Sequence, residues 1–258
     1  MRFFMLVFGL TATCCLIYFV ILFWGLGRTV QKFEHPFSKL PTPQAAVPWD
    51  SPIWAGLSAG QKERVIVWID VYRAKDDSLR ALPSNLRPQP QDPSPRNLDT
   101  VGPTLKSLVE THLERPLILN VVSNVDSIDL QLDRELKDFK LPRVLVQSES
   151  DNVMQSIKKL QPLWIYGTSS SDRVRWNMFS SLALTPAVTF TGDIFVAPLR
   201  VRNFAGINAA ILTEINRRGL LLLVGPLANN DEVRQAQGFN PDIYFVTEPE
   251  AFAALPTF

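Results

Sequence analysis

The chain has 258 residues, 46% of them hydrophobic, which suffices for one large α/β domain or two small ones and excludes global disorder. Its 26 basic residues nearly balance 25 acidic ones, so the electrostatic footprint of a nucleic-acid binder is missing. Both cysteines, Cys14 and Cys15, lie near the amino terminus, which leaves the remainder without disulfides or thiol chemistry.

No charged side chain occurs from Phe3 to Gly27, a run dense in Phe, Leu, Ile and Val. At ~1.5 Å per residue, a helix of that length can cross a ~30 Å hydrocarbon core. Residues 1–27 are therefore expected to be a single-pass membrane anchor, with Trp24, Arg28 and Lys32 marking an interfacial boundary. A cleaved signal is the competing reading, but its apolar region is usually ~7–15 residues and ends in small residues. No A-x-A pattern follows here, and Thr11-Ala12-Thr13-Cys14 departs from a lipoprotein box. Arg2 on one side against Arg28, Lys32 and Lys39 on the other leans weakly towards a cytoplasmic domain and leaves the side undecided.

Residues 28–52 carry Pro36, Pro41, Pro43, Pro48 and Pro52 and read as a semi-extended tether. Over residues 53–258 short β-branched runs alternate with longer amphipathic ones, the rhythm of a parallel α/β fold. Strands are predicted over 65–72, 117–122, 143–147, 163–166, 187–190, 220–224 and 243–246. Helices are predicted over 104–113, 127–139, 151–160, 172–182, 205–218 and 231–237. Asp151 and Asp231 are candidate N-caps, and Gly219 and Gly238 candidate helix ends.

With one further strand sought near 53–57, this pattern fits an α/β fold of the (β/α)8 TIM-barrel type, complete or one strand short. An open doubly wound sheet is the alternative, and no G-x-G-x-x-G turn supports it. The rhythm breaks between residues 82 and 103, where Pro83, Pro88, Pro90, Pro93, Pro95 and Pro103 fall. That loop follows a strand, which puts it on the C-terminal face, where barrel enzymes keep their chemistry, either covering a site or filling it.

Side chains on one face of a strand recur every second residue, so in VIVWIDVYRAKDD the side chains of Trp68 and Asp70 point the same way. A metal-dependent phosphodiesterase would want two carboxylates there. This strand offers a tryptophan and an aspartate.

The order of motifs resembles the glycerophosphodiester phosphodiesterase family. VIVWIDVYRAKDD is similar to that family's E-L-D-V-x-x-T-K-D-G strand, and PTLKSLVE to its P-T-L-x-E-x-L helix start. RPLILNVVSN stands where the family has a strand ending in E-I-K, and VLVQSESDNVMQSIKKLQPLWIYGT follows its strand, serine, helix, proline and next strand. RRGLLLLVG and GFNPDIYFVTEPEAF resemble the last two strands. The resemblance covers about Gly60 to Ala254 and implies a barrel fold more safely than an activity.

Family membership implies glycerophosphodiester hydrolysis by a divalent metal, held by carboxylates, with two histidines as acid and base. Carried onto this chain, the first carboxylate falls on Trp68 and the second on Asp70, which matches. The E-I-K glutamate falls on Val122, or on Val121 with a one-residue slip, and its lysine on Asn124. His35 sits in the tether and His112 in the first predicted helix, so neither matches a motif histidine. Ca²⁺ wants ~6–8 oxygen ligands and Mg²⁺ an octahedron, which one aspartate among apolar replacements does not supply.

Each remaining candidate has a structural reading beside the chemical one. Asp70 is either the remnant of a metal site or the partner of an arginine or of backbone donors; Asp193 is a turn residue or an acid on the barrel face. Arg200 and Arg202 suit a phosphate or a solvated strand. Arg217 and Arg218 suit the end of a helix dipole, and Glu248 the start of the last helix. Trp164, Tyr166 and Trp176 read as core or rim packing, and Glu110, His112 and Glu114 as an ordinary amphipathic helix, since His112 does not share a face with the two glutamates.

The sequence thus leads to a membrane-anchored, phosphodiesterase-like barrel with no catalytic residue assigned, in which Trp68 plugs the metal position. Its role would be binding or scaffolding, with a lipid headgroup or a protein as partner and no cofactor. The alternative is a divergent phosphodiesterase built around Asp70 and Asp193 that would need Mg²⁺ or Ca²⁺.

Overall fold

The structure is a computed structural model and describes residues 2–26, 34–87, 101–201 and 204–256. Arg28, Lys32, Pro88, Pro90, Pro93, Pro95 and Arg202 lie outside the described residues. Helix α1, Arg2–Leu26, is the apolar segment. Its sub-run Val7–Leu26 is long and apolar enough to cross a membrane, a property it shares with a signal sequence.

A 3₁₀ turn at Pro36–Lys39 leads into strand β1, Gln44–Pro48. Short helices α2, Ile53–Gly56, and α3, Ala59–Arg64, then reach β2, Ile66–Arg73, and β3, Leu79–Leu82. Helix and strand alternate from there: α4 Leu105–Thr111, β4 Leu117–Val121, α5 Ile128–Leu136, β5 Val144–Gln147, α6 Asp151–Leu160 and β6 Ile165–Tyr166. Helix α7, Ser170–Ser181, precedes β7, Ile194–Ala197, and the small hairpin of β8, Arg200–Val201, with β9, Phe204–Ala205. Helix α8, Ala209–Arg218, β10, Leu221–Leu227, α9, Asn230–Gln237, β11, Ile243–Val246, and α10, Pro249–Ala253, complete the order.

The parallel strands run β6-β5-β4-β2-β1-β11-β10-β7 around a nearly closed barrel, with β3 antiparallel to β2 at its rim. The end strands, β6 and β7, meet largely through side chains. Asp193 donates its N–H to the Tyr166 carbonyl at 2.7 Å and accepts the Tyr166 N–H on Oδ2 at 3.0 Å. Thr168 Oγ1 donates to the Ile194 carbonyl at 3.1 Å and accepts the Val196 N–H at 2.7 Å.

Nearly every strand position is buried, as expected where one face fills a barrel and the other meets helices. Ala46, Ile66, Ile118, Leu145, Val196 and Leu223 pack together inside, and Phe37 joins them. Val67, Ile69, Leu119 and Val146 face outward with Leu105, Leu132 and Ile157 of the helices.

The barrel begins earlier than the sequence suggested. The 28–52 segment is not a tether throughout, because β1 inside it pairs with both β2 and β11. Its two alanines and terminal proline disguise it. The strand sought at 53–57 is instead helix α2. The strand predicted at 187–190 is also displaced: Pro186 sets a 3₁₀ turn over Thr185–Ala187, and the ladder is taken up by the fully buried run Ile194–Ala197. Ser150 and Asn229, one and two residues before the predicted caps Asp151 and Asp231, are the caps: their side-chain oxygens accept the Val153 and Glu232 N–H groups. Gly219 ends α8 in the left-handed region, at φ 64°, as a helix-terminating glycine should.

Candidate functional site at the C-terminal mouth

Trp68 and Asp70 lie two apart on β2 and both point into the barrel. The register sets Asp70 beside Asn120 of β4 and Asn120 beside Gln147 of β5, so these polar residues form one layer above the apolar interior. Asp70 is only 1% exposed, and its carboxylate is saturated. Oδ1 accepts the Trp68 indole N–H and the Asn120 amide, each at 2.7 Å. Oδ2 accepts from two nitrogens of Arg87, each at 2.5 Å.

Arg87 comes from the start of the proline-rich loop, after a 3₁₀ turn at Ser84–Leu86. That turn is fastened from the residues just after β1: Asp50 Oδ2 accepts the Ser84 N–H at 2.7 Å and its hydroxyl at 3.0 Å, and Trp49 donates to the Leu82 carbonyl at 3.5 Å. Leu82 and Leu86 pack on Tyr72, Ala74 and Val122. At the loop's far end Tyr72 Oη donates to the Val101 carbonyl at 2.6 Å and accepts the Val101 N–H at 3.0 Å. The loop's described ends therefore close over the mouth.

An aromatic plug completes the layer below. Trp68 stacks on Phe245 of β11 with centroids 3.9 Å apart and planes 14° from parallel, and the Arg87 guanidinium lies 4.9 Å above the Phe245 ring. Trp68 is 5% exposed and packs with the inward-facing core of the barrel.

Trp68, Asn120 and Arg87 all present hydrogen-bond donors to Asp70, and one of them carries a fixed positive charge. A divalent cation needs several oxygen ligands and repels a guanidinium. The residues around Asp70 do not fit a metal. Among the described residues, no cluster of three or more His, Cys, Asp and Glu could hold one. Of the two readings of Asp70, its geometry is that of an arginine partner.

The other candidates disperse. Val121 packs outward with the helix-facing core, and Val122 joins the rim cluster, so the position opposite Asp70 is Asn120, two residues before the expected Val122. Asn124 is exposed and accepts from the Ser150 hydroxyl at 3.2 Å. Asp193 shares the outward parity of Phe195, binds the seam and approaches Lys158 of α6 at 3.4 Å, so the barrel wall separates it from Asp70. Its turn reading is the one the geometry supports.

Neither histidine is at the mouth. His35 is 5% exposed at the head of the turn that carries Phe37, accepts the Phe37 N–H on Nδ1 at 3.1 Å, and is pushed below its ordinary pKa by burial, against the pull of Asp193. His112 caps the C-terminus of α4 and stacks on Trp54 at 6.4 Å; burial, aided by Arg115, also lowers its pKa. Glu110, on the exposed face of α4, and Glu114, in the turn beyond the helix end, are both exposed. Arg200 is exposed on β8, and Glu248 stands at the N-cap of α10 without a capping bond.

Arg217 and Arg218 do more than face a helix end. Both pair with Glu214, which is 3% exposed, and Arg218 also lies 5.1 Å over the Trp176 ring. Trp164, Tyr166 and Trp176 are buried core residues, as expected. A crevice lined by Met154, Lys158, Gly167, Asp172 and Thr191 has room for about 20 Å³, near the minimum for one water, so it holds no organic phosphate.

Sequence reasoning missed Asn120, Phe245 and Arg87. Asn120 was findable, being the polar residue within the buried run Leu117–Val121. Phe245 follows from strand parity, but Arg87 sits among prolines with no periodic signal.

No family model matches the sequence, and no curated protein matches it. Solved structures do. A glycerophosphodiester phosphodiesterase from Agrobacterium tumefaciens aligns at a TM-score of 0.53 and 13% identity, covering 83% of this chain and 100% of that one. A putative glycerophosphodiester phosphodiesterase from Galdieria sulphuraria gives 0.57 and 10%, covering 84% and 97%. An Oleispira antarctica phosphodiesterase, solved with the product sn-glycerol-3-phosphate, gives 0.56 and 14%, covering 83% and 95%. At these identities the likeness carries the fold, and the fold of this chain is the glycerophosphodiester-phosphodiesterase-like TIM barrel.

Proposed function

We propose that this chain is a membrane-anchored, phosphodiesterase-like barrel that does not turn over substrate and serves as a binding or scaffold module. The observation that supports this reading is the saturation of Asp70: its inward-facing carboxylate is spent on Trp68, Asn120 and Arg87. A general acid of suitable pKa would also have to stand within hydrogen-bond reach of the leaving oxygen, and both histidines lie elsewhere. Helix α1, apolar and with most of its large side chains exposed, supports the single-pass anchor.

The test is hydrolysis of glycerophosphocholine and of a generic phosphodiester by the purified full chain in detergent with Mg²⁺ or Ca²⁺, alongside calorimetric titration of each ion. No turnover and no stoichiometric metal uptake are expected. Turnover lost in Asp70→Ala would overturn the proposal in favour of a divergent metal-dependent phosphodiesterase. Thermal shift with glycerophosphodiesters then separates headgroup binding from protein scaffolding, because a ligand that binds only the folded state raises its melting temperature.

A further inference from the structure

Helix α1 does not stand clear of the barrel. The Tyr18 hydroxyl reaches the Ala183 carbonyl at 3.5 Å, and Arg217 donates to the Leu26 carbonyl at 3.3 Å. Between them Gly25 rests on the backbone of Pro186 and Ala187 so closely that any Cβ there would collide with it. The last turns of α1 thus run along the segment between α7 and β7, with Tyr18 at the Ala183 end and Gly25 at the Ala187 end.

This contact sets the depth of the barrel. Arg2 is charged and stays out of the hydrocarbon, and from it to Tyr18 the helix rises only ~24 Å at ~1.5 Å per residue, less than a ~30 Å hydrocarbon core. A bilayer crossed by α1 must therefore extend ~6 Å past Tyr18, and Ala183 lies at that level. Its neighbour Leu182 is 59% exposed, and Met178 and Val174, one and two turns back along α7, are 60% and 57% exposed. Residues four apart share a helix face, so these three form one apolar stripe on the solvent side of α7, opposite the buried Trp176. Water is a poor solvent for such a stripe.

We propose that the C-terminal half of α7 and the turn after it form a membrane-docking face, seated in the interfacial layer of the bilayer that α1 crosses. The proposal rests on α1 being a membrane span. Continuity with α1 selects lipid as the occupant. Leu182 sits deepest, Met178 less deep and Val174 at the surface, while the C-terminal mouth, marked by exposed Val125 after β4, points away.

The test uses the full chain, one copy per nanodisc, in phosphatidylcholine with and without acyl-brominated phosphatidylcholine, which quenches only nearby fluorophores. Bimane on native Cys14 and Cys15 reports the span itself, and in a Cys14→Ser/Cys15→Ser background single labels are placed through Leu182→Cys, Met178→Cys and Val125→Cys. The expected result is strong quenching at Cys14 and Cys15, a partial loss at 182 exceeding that at 178, and none at 125. Quenched span labels with 182 and 178 as bright as 125 would overturn docking and leave the anchor standing. Unquenched span labels would overturn both. A label at 182 shielded from aqueous iodide but untouched by brominated lipid would place a protein on the stripe and overturn the proposal.

Discussion

Arg87 holds Asp70 through two nitrogens at 2.5 Å, so a loop residue supplies the positive charge that the barrel's inward carboxylate requires. The pair is unequal in exposure: the Asp70 side chain is 1% exposed and that of Arg87 21%. Arg87→Ala leaves a buried carboxylate with only neutral donors, and a cost of about 2–4 kcal/mol is expected, at the lower end for an orphaned buried charge because Arg87 retains solvent contact. Asp70→Asn/Arg87→Ala should lose less than the sum of the single variants. Urea melts of all four proteins measure the coupling, and additive losses would mean that the pair does not hold the loop.

The aromatic plug gives a graded expectation. Trp68→Phe keeps the stack on Phe245 but deletes the donor to Asp70 Oδ1, costing about 1–2 kcal/mol. Trp68→Ala opens a cavity in the barrel axis and should cost about 3–5 kcal/mol. Equal losses in the two variants would show that the hydrogen bond, and not the packing, dominates.

The barrel was legible because its strands are buried on both faces, and continuous apolar runs such as Leu220–Val224 announce themselves. Two of the eight parallel barrel strands escaped, for opposite reasons. Gln44–Pro48 has too few β-branched residues to stand out, and Ile194–Ala197 was displaced by the stretch at 187–190, which mimics a strand although a turn over Thr185–Ala187 leads into it. The site was legible along β2 alone, since period two fixes Trp68 and Asp70 on one face. What Asp70 binds depends on Arg87, which is distant in sequence and follows a turn pinned by Asp50. That relationship is set by tertiary closure and leaves no pattern in the chain.

At the seam between β6 and β7 the Thr168 hydroxyl makes two bonds to the β7 backbone, beside the two that Asp193 makes to Tyr166. Thr168→Val is nearly isosteric, yet it removes the donor to Ile194 and the acceptor of the Val196 N–H. An orphaned buried N–H costs about 1–3 kcal/mol. Thr168→Val should also speed amide exchange at Val196 more than at Leu119, in β4 away from the seam. Uniform acceleration throughout the barrel would indicate global destabilisation and no local opening.

Glu214 links stability to pH. Burial pushes its pKa up, but Arg217 and Arg218 outweigh that and hold it below its ordinary 4.5. A carboxylate with a lowered folded-state pKa binds fewer protons folded than unfolded, so its stabilisation is complete above the ordinary value and is lost as pH falls through the lowered one. Glu214→Gln should therefore be less stable than the parent at pH 7, with Arg218, 3% exposed, left without its counter-charge. The gap should narrow as the solution is acidified below about 4.5, because the parent then surrenders the same contribution. Urea melts across an acid pH series measure this difference, and a gap that stays constant with pH would mean that the pair stabilises by packing over Trp176 and not by charge.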